Sequence, residues 1–319
     1  MRKVFITGVN GFVGRALCER LSREAWRVAG SVRSDQNAAN LPSHVDTVRI
    51  PSIDQDVDWP TMLAGVNAVV HLAARVHIMH DTSSDPLSAF RRVNVDGTER
   101  LARQAAAVGV RRFVYISSVK VNGEESSIPY VEQDTPNPQD AYAVSKWEAE
   151  QTLRCVAGET GLETVVIRPP LVYGPGVKAN FLQLIRTTKR GLPLPLASVH
   201  NKRSLIYLHN LVDAIVTCIS HRWAINQTYL VSDGEDLSTP DLIYRLAAAL
   251  GATPRLFPCP PALIRMAGML AGKSVEVERL IGSLTVDTTK IRSELGWQAP
   301  YSVAKGLKET ADWFRSQNV

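Results

Sequence analysis

Cysteine is scarce in this chain. The four residues, Cys18, Cys155, Cys218 and Cys259, are scattered over 319 positions without a CxxC pair. That spacing excludes a disulfide framework and the common zinc sites, so no metal is expected, and it predicts reduced thiols in a cytoplasmic protein. Long apolar runs are missing too. The most apolar late stretch, residues 261–272, is interrupted by Arg265 and falls short of the ~20 residues that cross a bilayer. A core or cleft helix is expected there, and no membrane partner. No signal peptide is expected either, because strand-like residues begin at Arg2. The chain has no tract of five basic residues and no interleaving of aromatic with basic side chains, so its net charge of +5 does not point to nucleic acid. It suits a polyanionic small molecule as well as it suits plain surface chemistry. What remains is an ordinary enzyme composition, 45% hydrophobic and 21% charged, in a chain long enough to bury a sizeable core.

Short apolar, β-branched runs at residues 4–7, 28–32, 47–50, 68–72, 113–116 and 164–167 alternate with longer amphipathic segments such as 87–108 and 142–157. Runs of this kind predict strands buried on both faces, with crossover helices between them that stop at Gly109 and Gly161. The alternation predicts an α/β fold, a Rossmann-type doubly wound parallel sheet. After Arg168 the texture changes. "RPPLVYGPG" reads as a loop and residues 180–190 as a helix. Residues 205–207 and 229–231 read as strands returning to the main sheet. From Ser238 onward helices dominate, at 239–250, 261–271, 289–295 and 303–316. The division expected is a nucleotide-binding domain over 1–175, to which 204–233 returns, and a smaller, mostly helical substrate lobe over 176–319. The cleft between them is the natural substrate site.

"TGVNGFVG", Thr7 to Gly14, joins the first strand to the first helix. Gly8 permits a tight turn, Gly11 lets backbone approach a pyrophosphate, and Gly14 lets the helix pack close to the sheet. Phosphates would then meet the free N–H groups of a helix N-terminus. NAD binders commonly carry an acidic residue at the end of the second strand. Here "VAGSVRSD" offers Arg33 instead, which can pair with a 2′-phosphate. NADP is therefore favoured over NAD. In the alternative reading Arg33 is a solvated loop residue and Asp35 or another group holds the ribose.

In "AYAVSK", Tyr142 and Lys146 are four residues apart on an expected helix, so both side chains share a face. A neighbouring ammonium favours the phenolate and lowers the ordinary tyrosine pKa of about 10. The pair is a plausible proton-transfer device. "FVYISSVKVNG" ends a strand with Ser117 and Ser118 at the sheet's carboxyl edge, and "VNVDGTER" places Asn94 on the preceding crossover helix. His77 and His80, in "ARVHIMHD", fall in a loop near the cofactor's nicotinamide side and read as solvent-exposed.

Taken together, "TGVNGFVG", "HLAA" (71–74), "NVDGT" (94–98), "YISSVKVNG", "YAVSK", "RPPLVYGPG", "NKRSLIYLHNLVDA" (201–214) and "DTTKIRSELGW" (287–297) span nearly the whole chain. In this order they resemble the extended short-chain dehydrogenases/reductases, in their nucleotide-sugar epimerase/dehydratase branch. The resemblance implies Tyr142 as catalytic acid/base, Lys146 as partner of the tyrosine and the nicotinamide ribose, and Ser118 as polariser of the sugar oxygen. It extends the cofactor set from Gly8, Gly11, Gly14 and Arg33 to Phe12, Val13, Leu72, Ala73, Ala74, Asn94, Ser117, Pro169 and Val172. Asn180 and Arg203, with Arg279 as a second arginine, are implied on the nucleotide diphosphate of the substrate. A homodimer is implied, formed through helices 101–108 and 142–157.

Dehydratases of the branch carry an acidic pair after the catalytic Thr. This chain has Val119 and Lys120, so elimination is not expected. Epimerases of the branch usually carry the acidic residue after the second strand. The expectation drawn here is an NAD(P)H-dependent reduction of the C4 keto group of a UDP-4-keto-6-deoxy-N-acetylhexosamine. It rests on resemblance to bacterial 4-reductases of O-antigen synthesis. The alternative is a UDP-sugar 4-epimerase with bound NAD. A non-catalytic dinucleotide sensor is disfavoured, because Tyr142, Lys146 and Ser118 are all present.

Overall fold

The computed structural model describes residues 2–24, 26–34, 41–76 and 85–317. Asp35, His77 and His80, weighed above, lie outside the described residues. The strands are β1 (Lys3–Thr7), β2 (Arg27–Val32), β3 (Asp46–Arg49), β4 (Ala68–His71), β5 (Arg112–Ile116), β6 (Glu163–Arg168), β7 (Leu171–Tyr173), β8 (Pro193–Leu194), β9 (Leu205–Tyr207), β10 (Gln227–Leu230) and β11 (Arg255–Leu256). The helices are α1 (Phe12–Ser22), α2 (Trp59–Met62), α3 (Pro86–Arg91), α4 (Gly97–Ala107), α5 (Ala141–Thr160), α6 (Ala179–Lys189), α7 (Leu208–Ser220), α8 (Thr239–Leu250), α9 (Pro261–Leu270), α10 (Ser274–Ile281), α11 (Thr289–Leu295) and α12 (Val303–Ser316).

Seven parallel strands form the main sheet in the order β10-β6-β5-β4-β1-β2-β3. Val4, Phe5 and Ile6 are fully buried, as an interior strand covered by helices on both faces requires. Ile6 sits opposite Gly30 on one side and Val70 on the other. The chain leaves β1 toward β2 and β3, then crosses back to β4. The reversal opens a crevice beyond the carboxyl ends of β1 and β4, where ligands bind in such sheets. Gly8, Leu72 and Ser117 follow directly on the three strands beside it.

One face of the sheet packs against α1 and α7 through Leu17, Leu21, Leu211 and Ile215. The other packs against α2, α4 and α5 through Trp59, Leu101, Leu153 and Val156. The helix expected over 87–108 is a single rod made of α3, a π-helical turn at Arg92–Asp96, and α4. The Gly97 N–H reaches the carbonyl of Arg92, five residues back. A π turn inside an α-helix commonly marks a functional position.

Two expectations are corrected. Only β10 returns to the main sheet. Leu205–Tyr207 pairs instead with Leu171–Tyr173 in a separate two-stranded parallel sheet. A three-residue apolar strand carries no mark of its partner, which is why the sequence could not choose between the sheets. Of the core or cleft helix expected over 261–272, the core reading fails: only Ile264 and Gly268 of α9 are buried, and most of its other side chains are exposed. No helix of the described residues is long and apolar enough to cross a membrane.

Candidate active site

The turn after β1 has the form the glycines allow. Gly8 takes φ +68°, the left-handed region that glycine enters without penalty. The N–H of Gly11 closes the turn on the Gly8 carbonyl at 2.9 Å. A Cβ at Gly14 would lie 2.4 Å from the Gly8 oxygen and 2.6 Å from that of Val9, so only glycine lets α1 start this close to the strand. Gly11 caps α1 without a side-chain hydrogen bond, and the first turn holds no acidic residue. Its N–H groups are free to face an anion. Phe12 and Val13 are half-buried beside it. The cradle fits the pyrophosphate of a dinucleotide.

A buried polar chain fixes the other wall. The Thr7 hydroxyl accepts from the N–H groups of Leu72 and Ala73, each at 3.1 Å, and donates to His71 Nδ1 at 2.6 Å. His71 Nε2 donates to Thr98 Oγ1 at 3.0 Å, and Thr98 donates to the carbonyl of Asn94 at 2.6 Å. This direction requires a neutral imidazole. Burial, helped by the nearby Lys146 charge, pushes the His71 pKa down to about 3. Asn94 sits in the π turn, and its side chain is fully engaged. Oδ1 accepts from the Arg75 N–H at 2.8 Å, while Nδ2 donates to the Arg75 carbonyl at 3.0 Å and to Ser145 Oγ at 2.9 Å. Ser145 Oγ in turn donates to the Tyr142 carbonyl at 2.7 Å. Asn94 therefore ties the strand-end segment 72–75, half-buried along Leu72, Ala73 and Ala74, to the helix that carries Tyr142.

Asp140 caps α5, accepting from the Ala143 N–H at 2.7 Å. Tyr142 and Lys146 then project one turn apart. Tyr142 meets the edge of Phe90 at 6.2 Å. Lys146 is buried with its ammonium 4.1 Å from the centroid of the Tyr115 ring. Burial pulls Lys146 down to about 7 against the opposing pull of Glu150. Burial, with Asp140 adding to it, pushes the Tyr142 phenol up to about 12. The direction at Tyr142 is opposite to that expected from the sequence, where the ammonium alone was weighed. Desolvation of the phenolate by burial sets the direction.

Ser118 takes extended backbone and caps the short turn Val119–Val121, its Oγ accepting from the Lys120 N–H at 3.2 Å. It is half-buried beside the site. Ser117 has a different place. Its hydroxyl donates to Glu150, which also holds Arg168 through two bonds at 2.6 and 3.0 Å. Arg168 and Glu150 are 1% and 0% exposed, and Arg168 also donates to Asn122 Oδ1 at 3.0 Å. Ser117 is thus engaged in a buried network that sequence reasoning missed, together with Thr7, His71 and Thr98. The only local signal was Glu150, one helical turn beyond Lys146. Pro169 accepts from the Val119 N–H at 3.0 Å, and Val172 is half-buried in β7.

On the substrate side, Lys120 Nζ bridges Glu124 at 2.5 Å and Asp140 at 2.6 Å. Glu124 also lies 3.6 Å from Arg279. Arg203 donates to the Gly282 carbonyl at 3.0 Å. Burial and the Arg279 charge pull its pKa down, against Glu124 and Glu125. The structure therefore brings Arg203 and Arg279 together around Glu124. Asn180, exposed in the first turn of α6, shares no hydrogen bond or ion pair with that cluster. Arg33 is exposed in the bend after β2. No cluster of metal-ligating side chains exists among the described residues.

The model of the NAD dependent epimerase/dehydratase family matches residues 4–232. A UDP-glucose 4-epimerase of Vibrio cholerae is 42% identical, with 99% of this chain and 97% of that protein covered. An Escherichia coli O157:H7 enzyme, N-acetyl-alpha-D-glucosaminyl-diphospho-ditrans,octacis-undecaprenol 4-epimerase, is 27% identical over 97% of this chain and 94% of its own length. Among solved structures, the UDP-glucuronic acid 4-epimerase of Bacillus cereus, in complex with UDP-glucuronic acid and NAD, aligns with a TM-score of 0.81 at 22% identity, covering 99% of both chains. At that identity the likeness is one of fold.

Proposed function

The chain belongs to the NAD dependent epimerase/dehydratase family, enzymes of the extended short-chain dehydrogenase/reductase type, and on that premise we propose that it inverts C4 of a UDP-linked sugar. The observation that carries this reading is the 42% identity, end to end, with the Vibrio cholerae UDP-glucose 4-epimerase. It displaces the ketoreductase favoured from the sequence in favour of the alternative weighed beside it. The lack of a carboxylate at Val119 and Lys120 supports inversion over elimination. NAD fits the cradle of Gly8, Gly11 and Gly14, with Phe12 and Val13 alongside, and it supplies a hydride acceptor and donor when bound.

The protein's own groups do the rest. Tyr142 takes the proton of the C4 hydroxyl as the C4 hydride leaves, and returns it when hydride is delivered to the opposite face of the 4-keto sugar. Ser118 donates a hydrogen bond to the same oxygen. Lys146 sets the charge beside the phenol, which burial holds up at about 12, and an ammonium at that position favours the phenolate that takes the proton. Arg203 and Arg279 hold the diphosphate while the sugar turns. A homodimer through α4 and α5 belongs to the same reading.

One observation favours a second reading. Arg33 stands exposed at the end of β2, where the branch's epimerases usually have an acidic residue. That suits a reductase that exchanges NADPH with solvent, and the raised phenol suits a proton donor. One assay separates them. UDP-glucose, UDP-N-acetylglucosamine and a UDP-4-keto-6-deoxy sugar are each incubated with the enzyme, with and without NADH or NADPH. Interconversion of C4 epimers without added nicotinamide is the expected result. Stoichiometric nicotinamide consumption with the keto sugar, and no epimer formation, would replace the epimerase with the reductase.

A further inference from the structure

We propose that the ring of Tyr115 holds the Lys146 side chain in place as a cation, which makes Tyr115 a positioning residue for proton transfer at Tyr142. Lys146 is 2% exposed, so its ammonium has given up water. A buried charge needs a partner. Among the described residues no hydrogen bond or ion pair reaches Lys146 Nζ. What does reach it is the face of Tyr115, with the ring centroid 4.1 Å away, well inside the ~6 Å over which an aromatic face attracts a cation. Burial holds the Tyr115 phenol far above its ordinary value, so the ring acts through its face and not as an anion.

The other groups around Lys146 do not replace this contact. On α5, Tyr142 and Glu150 stand one turn to either side. Burial and Asp140 keep Tyr142 neutral, pushed up to about 12. Glu150 favours the charged ammonium, but its oxygens are bound by Arg168 of β6 at 2.6 and 3.0 Å and by the Ser117 hydroxyl, so it acts only through space. His71 of β4 is buried and neutral. Lys120, in the turn after β5, is taken up by Glu124 and Asp140. Phe90 of α3 and Asn94 of the π turn also meet α5, and neither titrates. Tyr115 itself is fixed. It is 1% exposed and stacks on His71, with centroids 5.7 Å apart and planes at 27°. His71 is tied in turn to Thr7 and Thr98. The buried chain that shapes one wall of the cofactor cradle therefore ends under Lys146. Without a π face at position 115, burial would drive the ammonium further toward its neutral form. The role in turnover rests on the acid/base reading of Tyr142, whereas the contact does not.

The test follows the charge on Lys146 directly. The full chain, labelled with carbon-13 at lysine Cε, is titrated by NMR with the same excess of NAD in every sample and no sugar present. The Lys146 signal is assigned by its loss in Lys146→Gln. Tyr115→Phe should keep the wild-type midpoint. Tyr115→Leu should lower it by about one pH unit, the shift expected when a desolvated cation–π contact is lost. A series of Tyr115→fluorophenylalanine variants, with increasing ring fluorination, drains charge from the face at nearly constant volume. Its midpoints should fall step by step, and it decides the matter where Tyr115→Leu does not fold. A flat series, or a Tyr115→Phe midpoint that falls as far as that of Tyr115→Leu, overturns the proposal. In turnover, the alkaline limb of the kcat profile should move to lower pH with the midpoint, while KM for the sugar stays unchanged. A midpoint shift without that movement overturns the positioning role. Absence of epimer formation would overturn the epimerase reading alone, because the titration involves no turnover.

Discussion

On the cofactor side, Asn94 spends its side-chain amide on three protein hydrogen bonds, and the Glu150–Arg168 pair beneath it is almost wholly excluded from water. On the substrate side, Arg279 keeps 27% of its side chain exposed and reaches Glu124 only at 3.6 Å. The first region is saturated by the protein itself and so has one arrangement. The second holds charges whose partners can be exchanged for a ligand's. On the proposed reading, a rigid cofactor cradle and an exchangeable diphosphate grip suit a reaction in which the hydride path is fixed and the sugar moves.

Substitutions on the two sides should therefore fail differently. The largest effect is expected where the regions meet. Tyr142→Phe removes the proton path and should lower kcat by about 10²–10⁴-fold, while NAD affinity, followed by fluorescence titration, stays unchanged. A variant that turns over normally would break the assignment of the acid/base. Next comes Glu150→Gln, which strands the buried Arg168 guanidinium. A loss of about 3–5 kcal/mol in denaturant unfolding is expected, with no comparable loss from a charge change on the substrate side.

Arg203→Ala should do the reverse. Losing a charged hydrogen-bonding partner of the diphosphate, worth about 1.5–3 kcal/mol, raises KM about 10- to 100-fold while kcat and melting temperature move little. A collapse in stability instead would mean that Arg203 belongs to the saturated region.

The cofactor side also predicts a pH dependence. His71 has a folded pKa of about 3 against an ordinary 6.5. The unfolded chain binds the proton first, so stability is intact above pH 6.5 and falls as the pH drops toward 3. The slope is about 1.4 kcal/mol per pH unit at most. Melting curves between pH 7 and 4 should show it, and His71→Gln should flatten it.

Much of the cofactor side was legible because it is written locally. Gly8, Gly11 and Gly14 are fixed by steric demands within one turn, and Tyr142 and Lys146 by one helical step. Arg203 and Arg279 were named by resemblance, and the structure does bring them together. What the sequence hid is written across the sheet. Ser117 meets Glu150 and Glu150 meets Arg168 over separations of 33 and 18 positions. His71 meets Thr98 over 27 positions. Such pairs leave no period and no spacing to read. The phenol's upward shift was hidden for a related reason: it depends on how much water the packed chain removes, a quantity no single motif encodes. The outward face of α9 was misread because an apolar composition alone does not say which side of a helix finds a neighbour.

The π turn at Arg92–Asp96 behaves like one extra tooth in a gear. It takes up one extra residue between α3 and α4 without breaking the rod, so everything downstream keeps its angular phase. Removing one residue from that turn would restore a regular helix and leave α4 close to where it is, with Thr98 still facing His71. What would be lost is the widened turn that carries Asn94. A single-codon deletion here should therefore cost the Asn94 bonds to Arg75 and Ser145 while the packing of α4 survives.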